Sequence, residues 1–176
     1  MPFGYYEQLT RKQKATYRRS DEVTSVELPD AGRLRPSLEA IRSALEADDR
    51  AAVGRAVRSF AGTMLTSLRL PPVRTQVLAR RPSNESAELH GLYTREEGET
   101  PLVQVWMRTA AHERPVALRT FVRTLVHELC HHLDFELFLL EDTFHTEGFF
   151  RRESSVVRQL LAPASGARQL KLFPDD

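Results

Sequence analysis

The pattern His127-Glu128-Leu129-Cys130-His131 constrains this chain more than any other feature, because it falls inside an apolar run with helical spacing. Leu118, Phe121, Val122, Leu125 and Val126 continue into Leu129, Leu133 and Leu137 with i, i+3, i+4 recurrence. That spacing predicts a helix buried along one side, from about Val116 to Phe138. Pro115 suits the first turn of such a helix, where its missing N–H costs nothing. On the helix, His127 and His131 stand at i and i+4, about one turn apart on one face, so both imidazoles can reach a single metal ion. H-E-x-x-H is the spacing with which helices build hydrolytic zinc sites. Glu128 then sits beside the ion rather than on it, where its carboxylate can accept a proton from water and return it to a leaving amine. The bland alternative is a helix whose histidines are merely solvated or paired with acids.

A catalytic zinc site takes three protein ligands and keeps a fourth position open. Beyond the adjacent His132 the next histidine is His145, fourteen residues after His131, a gap that lets the helix end and the chain turn back. Glu147, Glu153 and Asp134 compete for the same role. We expect His145, because imidazole suits borderline-soft zinc, and we expect Asp134 to orient a ligand from behind. His132 reads as a flanking or surface histidine, pointing away from the His127/His131 face. Cys130 reads as a small buried hydrophobe rather than a ligand or thiol switch.

The pattern from His127 to His131, a gap of about thirteen residues, then His145 followed by Phe149 and Phe150, resembles the SprT-like zinc peptidases and their minimal bacterial relatives. The resemblance covers Pro101 to about Leu161. It implies one zinc ion on His127, His131 and His145, with Glu128 as general base and acid. It also implies protein substrates, since that group includes proteases that degrade proteins crosslinked to DNA. The oxyanion-stabilising residue is left open among Tyr93, His112 and Arg152.

At 176 residues the chain suits one domain with tails. An α+β fold is expected, with a compact zincin-like core over 35–162. Two helices, Pro36–Ala47 and Arg50–Leu68, follow from Leu38, Ile41 and Leu45, then Val53, Val57, Phe60, Met64 and Leu68, and Pro71-Pro72 ends them. Three candidate strands come next, Val73–Ala79, Ala87–Thr94 and Leu102–Thr109, the last two a possible hairpin. Together they predict a small mixed sheet of about three strands on the H-E-x-x-H helix. Leu102–Trp106 or its neighbour would be an edge strand, a rail that pairs with a substrate backbone. A further helix over Phe149–Leu161 would hold His145 in place.

Residues 1–34 read as a basic arm, mobile or weakly helical, in which Arg11, Lys12, Lys14, Arg18 and Arg19 with Tyr5 and Tyr6 could touch nucleic acid weakly. Residues 163–176 read as a flexible tail. Its Gln169-Leu170-Lys171-Leu172-Phe173 resembles the Q-L-x-L-F motif by which bacterial repair and replication proteins dock on the sliding clamp. Leu172 and Phe173 would fill an apolar pocket and Gln169 would supply directed hydrogen bonds, with Leu170 part of the same motif.

A formal charge of +1 provides no global basic field of the kind a dedicated nucleic-acid module carries. The single cysteine excludes an internal disulfide, and no apolar run approaches a membrane span. With no N-terminal apolar segment, a cytoplasmic protein is expected. The leading expectation is a zinc endopeptidase acting on proteins stalled on or crosslinked to DNA. Its rivals are a regulatory or toxin-like peptidase unconnected to DNA and a zinc-binding scaffold without turnover.

Overall fold

The computed structural model describes residues 3–80, 83–84, 87–88, 91–108 and 114–162. It is an α+β protein with five α-helices and a small three-stranded mixed sheet. None of its helices, among the described residues, is long and apolar enough to cross a membrane.

Helix α1 spans Arg11–Glu22. Its start is fixed by a capping box: Thr10 Oγ1 accepts from Gln13 N at 3.2 Å, and the Gln13 side chain accepts from Thr10 N at 3.0 Å. This corrects the expectation of a mobile or weakly helical arm. Tyr17 is 2% exposed, and Val26, Leu28 and Leu34 join the main core. The polar composition of the segment concealed them, because α1 buries only a narrow stripe of Thr16, Tyr17 and Ser20. Three helices therefore precede the sheet, not two.

The next two helices lie close to the expected bounds. Helix α2 (Arg35–Glu46) opens with Pro36, whose ring suits a helix's first turn. Helix α3 (Arg50–Ser67) is capped by Asp49, whose side chain accepts from Ala52 N at 2.9 Å. Ile41, Val53, Val57, Phe60 and Met64 are fully buried where the two helices meet each other and the sheet.

Strand β1 (Arg74–Arg80) runs parallel to β5 (Leu102–Arg108), and β4 (Gly91–Thr94) pairs antiparallel to β5 on its other side. The expected hairpin partners do meet, with Tyr93 opposite Val103. The expected strand over Ala87–Thr94 is divided: Ala87–Glu88 (β3) pairs instead with Ser83–Asn84 (β2). Leu102–Trp106 belongs to the central strand, so the edges of the sheet fall to its neighbours β1 and β4. Val103 and Val105 are fully buried, consistent with a position between two partners.

Helix α4 (Leu118–Glu136) packs on β4 and β5 with Phe121, Val122, Leu125, Val126 and Leu129 inward. It begins after Ala117, so Pro115 lies ahead of the first turn and bridges Arg108 at the end of β5. Helix α5 (Glu147–Leu161) lies against α4, and Thr146 caps it by accepting from Phe149 N at 2.9 Å. The Gln169–Phe173 motif and His112 lie outside the described residues.

Candidate active site

Helix α4 and the loop before α5 bring His127, His131 and His145 together, each presenting one nitrogen to a common point within 4.8 Å of the others. These three residues lie close enough to hold a metal ion. Two sequence-adjacent turns supply the first pair, while the third arrives across a return of the chain through Asp142 and Thr143.

The outward-facing ring nitrogens decide the tautomers. Glu153 Oε2 lies 2.9 Å from His127 Nδ1, and a carboxylate can only accept, so His127 carries its proton on Nδ1. Arg123 Nε donates to the other oxygen, Glu153 Oε1, at 2.7 Å. Burial alone would raise the Glu153 carboxyl, yet these hydrogen bonds and charges hold it below its ordinary range. Glu153, weighed as a ligand, thus stands behind His127 instead.

A second chain orients His131. Thr143 Oγ1 donates to Asp134 Oδ2 at 2.8 Å, and its oxygen is 2.7 Å from His131 Nδ1. Having spent its only proton on Asp134, the hydroxyl accepts from His131 Nδ1–H. Asp134 is completely buried, and burial pushes its carboxyl upward, opposed by Arg152, which donates from Nη2 to Oδ1 at 2.6 Å. Asp134 therefore reaches His131 through Thr143, a residue that carries no signal of its own in the sequence.

Both tautomers leave a lone pair on Nε2. His145 Nε2 stands 3.0 Å from His127 Nε2 and 3.2 Å from His131 Nε2. One proton on His145 could satisfy only one of these acceptors, whereas a cation satisfies all three. Nitrogen ligands roughly 2.0–2.1 Å from a tetrahedral metal ion stand about 3.3 Å apart, close to the observed separations. Burial, then the neighbouring His127 and His145, lower the pKa of His131 to about 3, so it stays neutral and able to ligate at ordinary pH. The residues present fit a metal ion.

Glu128 lines the same cleft, a cavity of about 640 Å³ bounded by β4, α4 and α5. Burial, with Glu153 adding to it, raises its carboxyl to about 7 against the opposing effects of His127 and a hydrogen bond from the Tyr93 backbone. Its place depends on Gly91. A Cβ there would meet Glu128 Oε1 at 2.4 Å and Cγ at 2.6 Å. We expect Gly91→Ala to displace the carboxylate and lose stability by about 1–3 kcal/mol. The three histidines are untouched by the change, so metal binding should survive; a melting temperature equal to wild type would refute this account of Gly91.

The remaining candidates are distributed differently. His132, expected at the surface, is fully buried: Nε2–H donates to Pro71 O at 3.0 Å, leaving Nδ1 to accept from Tyr93 OH at 3.1 Å. Helix α4 is covered on that side by β4 and the turn after α3, so no face remained for a surface histidine. Tyr93 lines the cleft but has committed its hydroxyl proton to His132. Arg152 is fully buried and donates to Asp134 and to the carbonyls of Ser20 and Val23 at the end of α1, away from the cleft lining. Cys130 is buried, and burial pushes its thiol far up. Glu147 is exposed beside Arg151 at the start of α5. Compared with protein-family models, with curated proteins and with solved structures, the chain finds no match.

Proposed function

We propose that the protein is a zinc-dependent endopeptidase with a zincin-like core, of the SprT-like kind that its motif resembles. The observation that carries this reading is the convergence of three Nε2 atoms, two with their lone pairs fixed from behind, in one cleft with a carboxylate that is not needed as a ligand. His127, His131 and His145 would hold one Zn²⁺, since an imidazole triad with an open position suits zinc. When bound, the ion supplies Lewis acidity and lowers the pKa of water.

The chain's own residues do the rest. Glu128 accepts the proton that the attacking water releases and delivers it to the leaving amine. Its raised pKa, about 7, suits a group that must both take and give a proton near neutrality. Strand β4 borders the cleft through Gly91, Leu92 and Tyr93 and is an edge of the sheet, so an extended peptide can pair with its backbone beside Glu128. Arg123 and Glu153 keep the His127 ring from rotating, and Thr143 and Asp134 do the same for His131.

Proteins stalled on or crosslinked to DNA are the proposed substrates, delivered by a sliding clamp that takes Gln169, Leu170, Leu172 and Phe173. This part rests on the resemblance and on the tail's sequence alone. The test is incubation of zinc-loaded protein with an unfolded protein and with the same protein crosslinked to DNA, fragments being read by mass spectrometry. We expect fragments in both, more from the crosslinked substrate. Cleavage indifferent to DNA would favour a peptidase unconnected to it, and retained zinc with no cleavage of either would favour a scaffold.

A further inference from the structure

His145 is held differently from its two partners. His127 and His131 sit on a helix and have their Nδ1 atoms fixed by Glu153 and Thr143. His145 lies outside the helices, and among the described residues its Nδ1 has no such partner. Part of its support comes from the N-terminal segment, far away in sequence. Tyr5 OH donates to the His145 carbonyl at 3.1 Å, across 140 positions of sequence. The Phe150 ring stacks on His145 with centroids 5.7 Å apart and planes 19° from parallel. Phe3 in turn meets Phe150 edge-on at 6.1 Å.

The residues just after His145 are gripped by α1. Gly148 N donates to Asp21 Oδ1 at 2.9 Å, and Ser20 Oγ lies 3.3 Å from Thr146 Oγ1. The approach is so close that a Cβ on Gly148 would lie 2.3 Å from Asp21 O. Arg152 ties the same end of α1 to the His131 support, donating to Ser20 O at 2.9 Å and Val23 O at 3.1 Å while it holds Asp134.

We propose that residues 3–23 form a clasp that positions His145, so that retention of the metal by the three-histidine site depends on the N-terminal segment. This rests on the reading of that site as a metal centre and adds how its third ligand is fixed. The physical reason is entropic. A ligand on a loop must be ordered when it binds, and a loop already ordered by Tyr5, Phe3 and Asp21 has less freedom to lose. Tyr5 and Phe3 are positioning residues in this scheme.

The decisive comparison uses the full chain carrying Phe3→Ala and Tyr5→Phe together, with Zn²⁺ affinity measured by competition against a chromophoric chelator. Both sites are at the surface end of the clasp, so the metal-free protein should melt near the wild-type temperature. Affinity should fall by about tenfold, the lower range for losing a residue that supports a ligand. The Co²⁺-loaded variant should show an altered visible spectrum, and Phe3→Leu with Tyr5 restored should recover most of the loss. Asp21→Ala, at the other end, should weaken the metal in the same direction; should it unfold, the Phe3 and Tyr5 pair still decides the matter. Wild-type affinity and spectrum in the double variant, whatever its melting temperature, would overturn the clasp while leaving the metal centre standing. Wild-type protein that binds neither ion would overturn both.

Discussion

Glu128→Gln is expected to keep the metal and lose turnover by about 10²–10⁴-fold, the usual contribution of a positioned acid–base group. The substitution preserves the size of a side chain that is 5% exposed and packed against Gly91, so the cleft keeps its shape. It removes the ability to take a proton from water. Because Glu128 lines the same cleft but is not one of the three residues whose nitrogens converge, zinc content should stay at one ion per chain. On the proposed mechanism the wild-type rate should carry a matching pH signature. Burial raises the carboxyl to about 7, so the base form is lost as pH falls through that value and gained as pH rises through it. A cation on the histidines would shift that limb to lower pH by favouring the charged form. Equal cleavage by wild type and variant, at matched zinc content, would remove Glu128 from the mechanism.

The second large effect belongs to His145→Ala. Loss of a ligand should weaken zinc by more than the roughly 10–100-fold that follows loss of a residue merely supporting one. Dialysis against a chelator followed by metal analysis should leave the variant empty under conditions in which wild type stays loaded. The fold should be little disturbed, since His145 is exposed and substitutions at such sites usually stay within about 0.5 kcal/mol. Asp134 and Glu153 are unsuited to replace it: the first is bound to Arg152 and Thr143, and the second to His127 and Arg123. Undiminished zinc affinity would show that another residue completes the site.

The elements nearest the motif were legible because their burial is periodic. Leu118 to Leu137 and Val53 to Phe60 each repeat at helical spacing, and α4, α2 and α3 follow within a few residues. Segments that bury little of themselves were not legible in this way. Tyr17 is the one large apolar side chain that α1 buries, so its sequence looks like a solvated arm. Strand order was equally hidden, since Leu102–Arg108 alternates alike whether it is an edge or a centre, and only pairing with both β1 and β4 makes it central.

For the site, sequence by itself determined the two histidines and the glutamate between them, because helical geometry fixes how residues i, i+1 and i+4 face one another. It also narrowed the third position to His145 among a few oxygen donors. Only the tertiary structure decided what holds the rings of His127 and His131 and the backbone of His145. Glu153, Thr143 and Tyr5 lie 26, 12 and 140 positions from the groups they hold. Hydrogen bonds of that range depend on how helices and loops pack, and packing is set by the burial of the whole chain rather than by any local spacing. The candidate site residues of α4 were therefore written in about one turn of helix, and the means of holding them was dispersed over the fold.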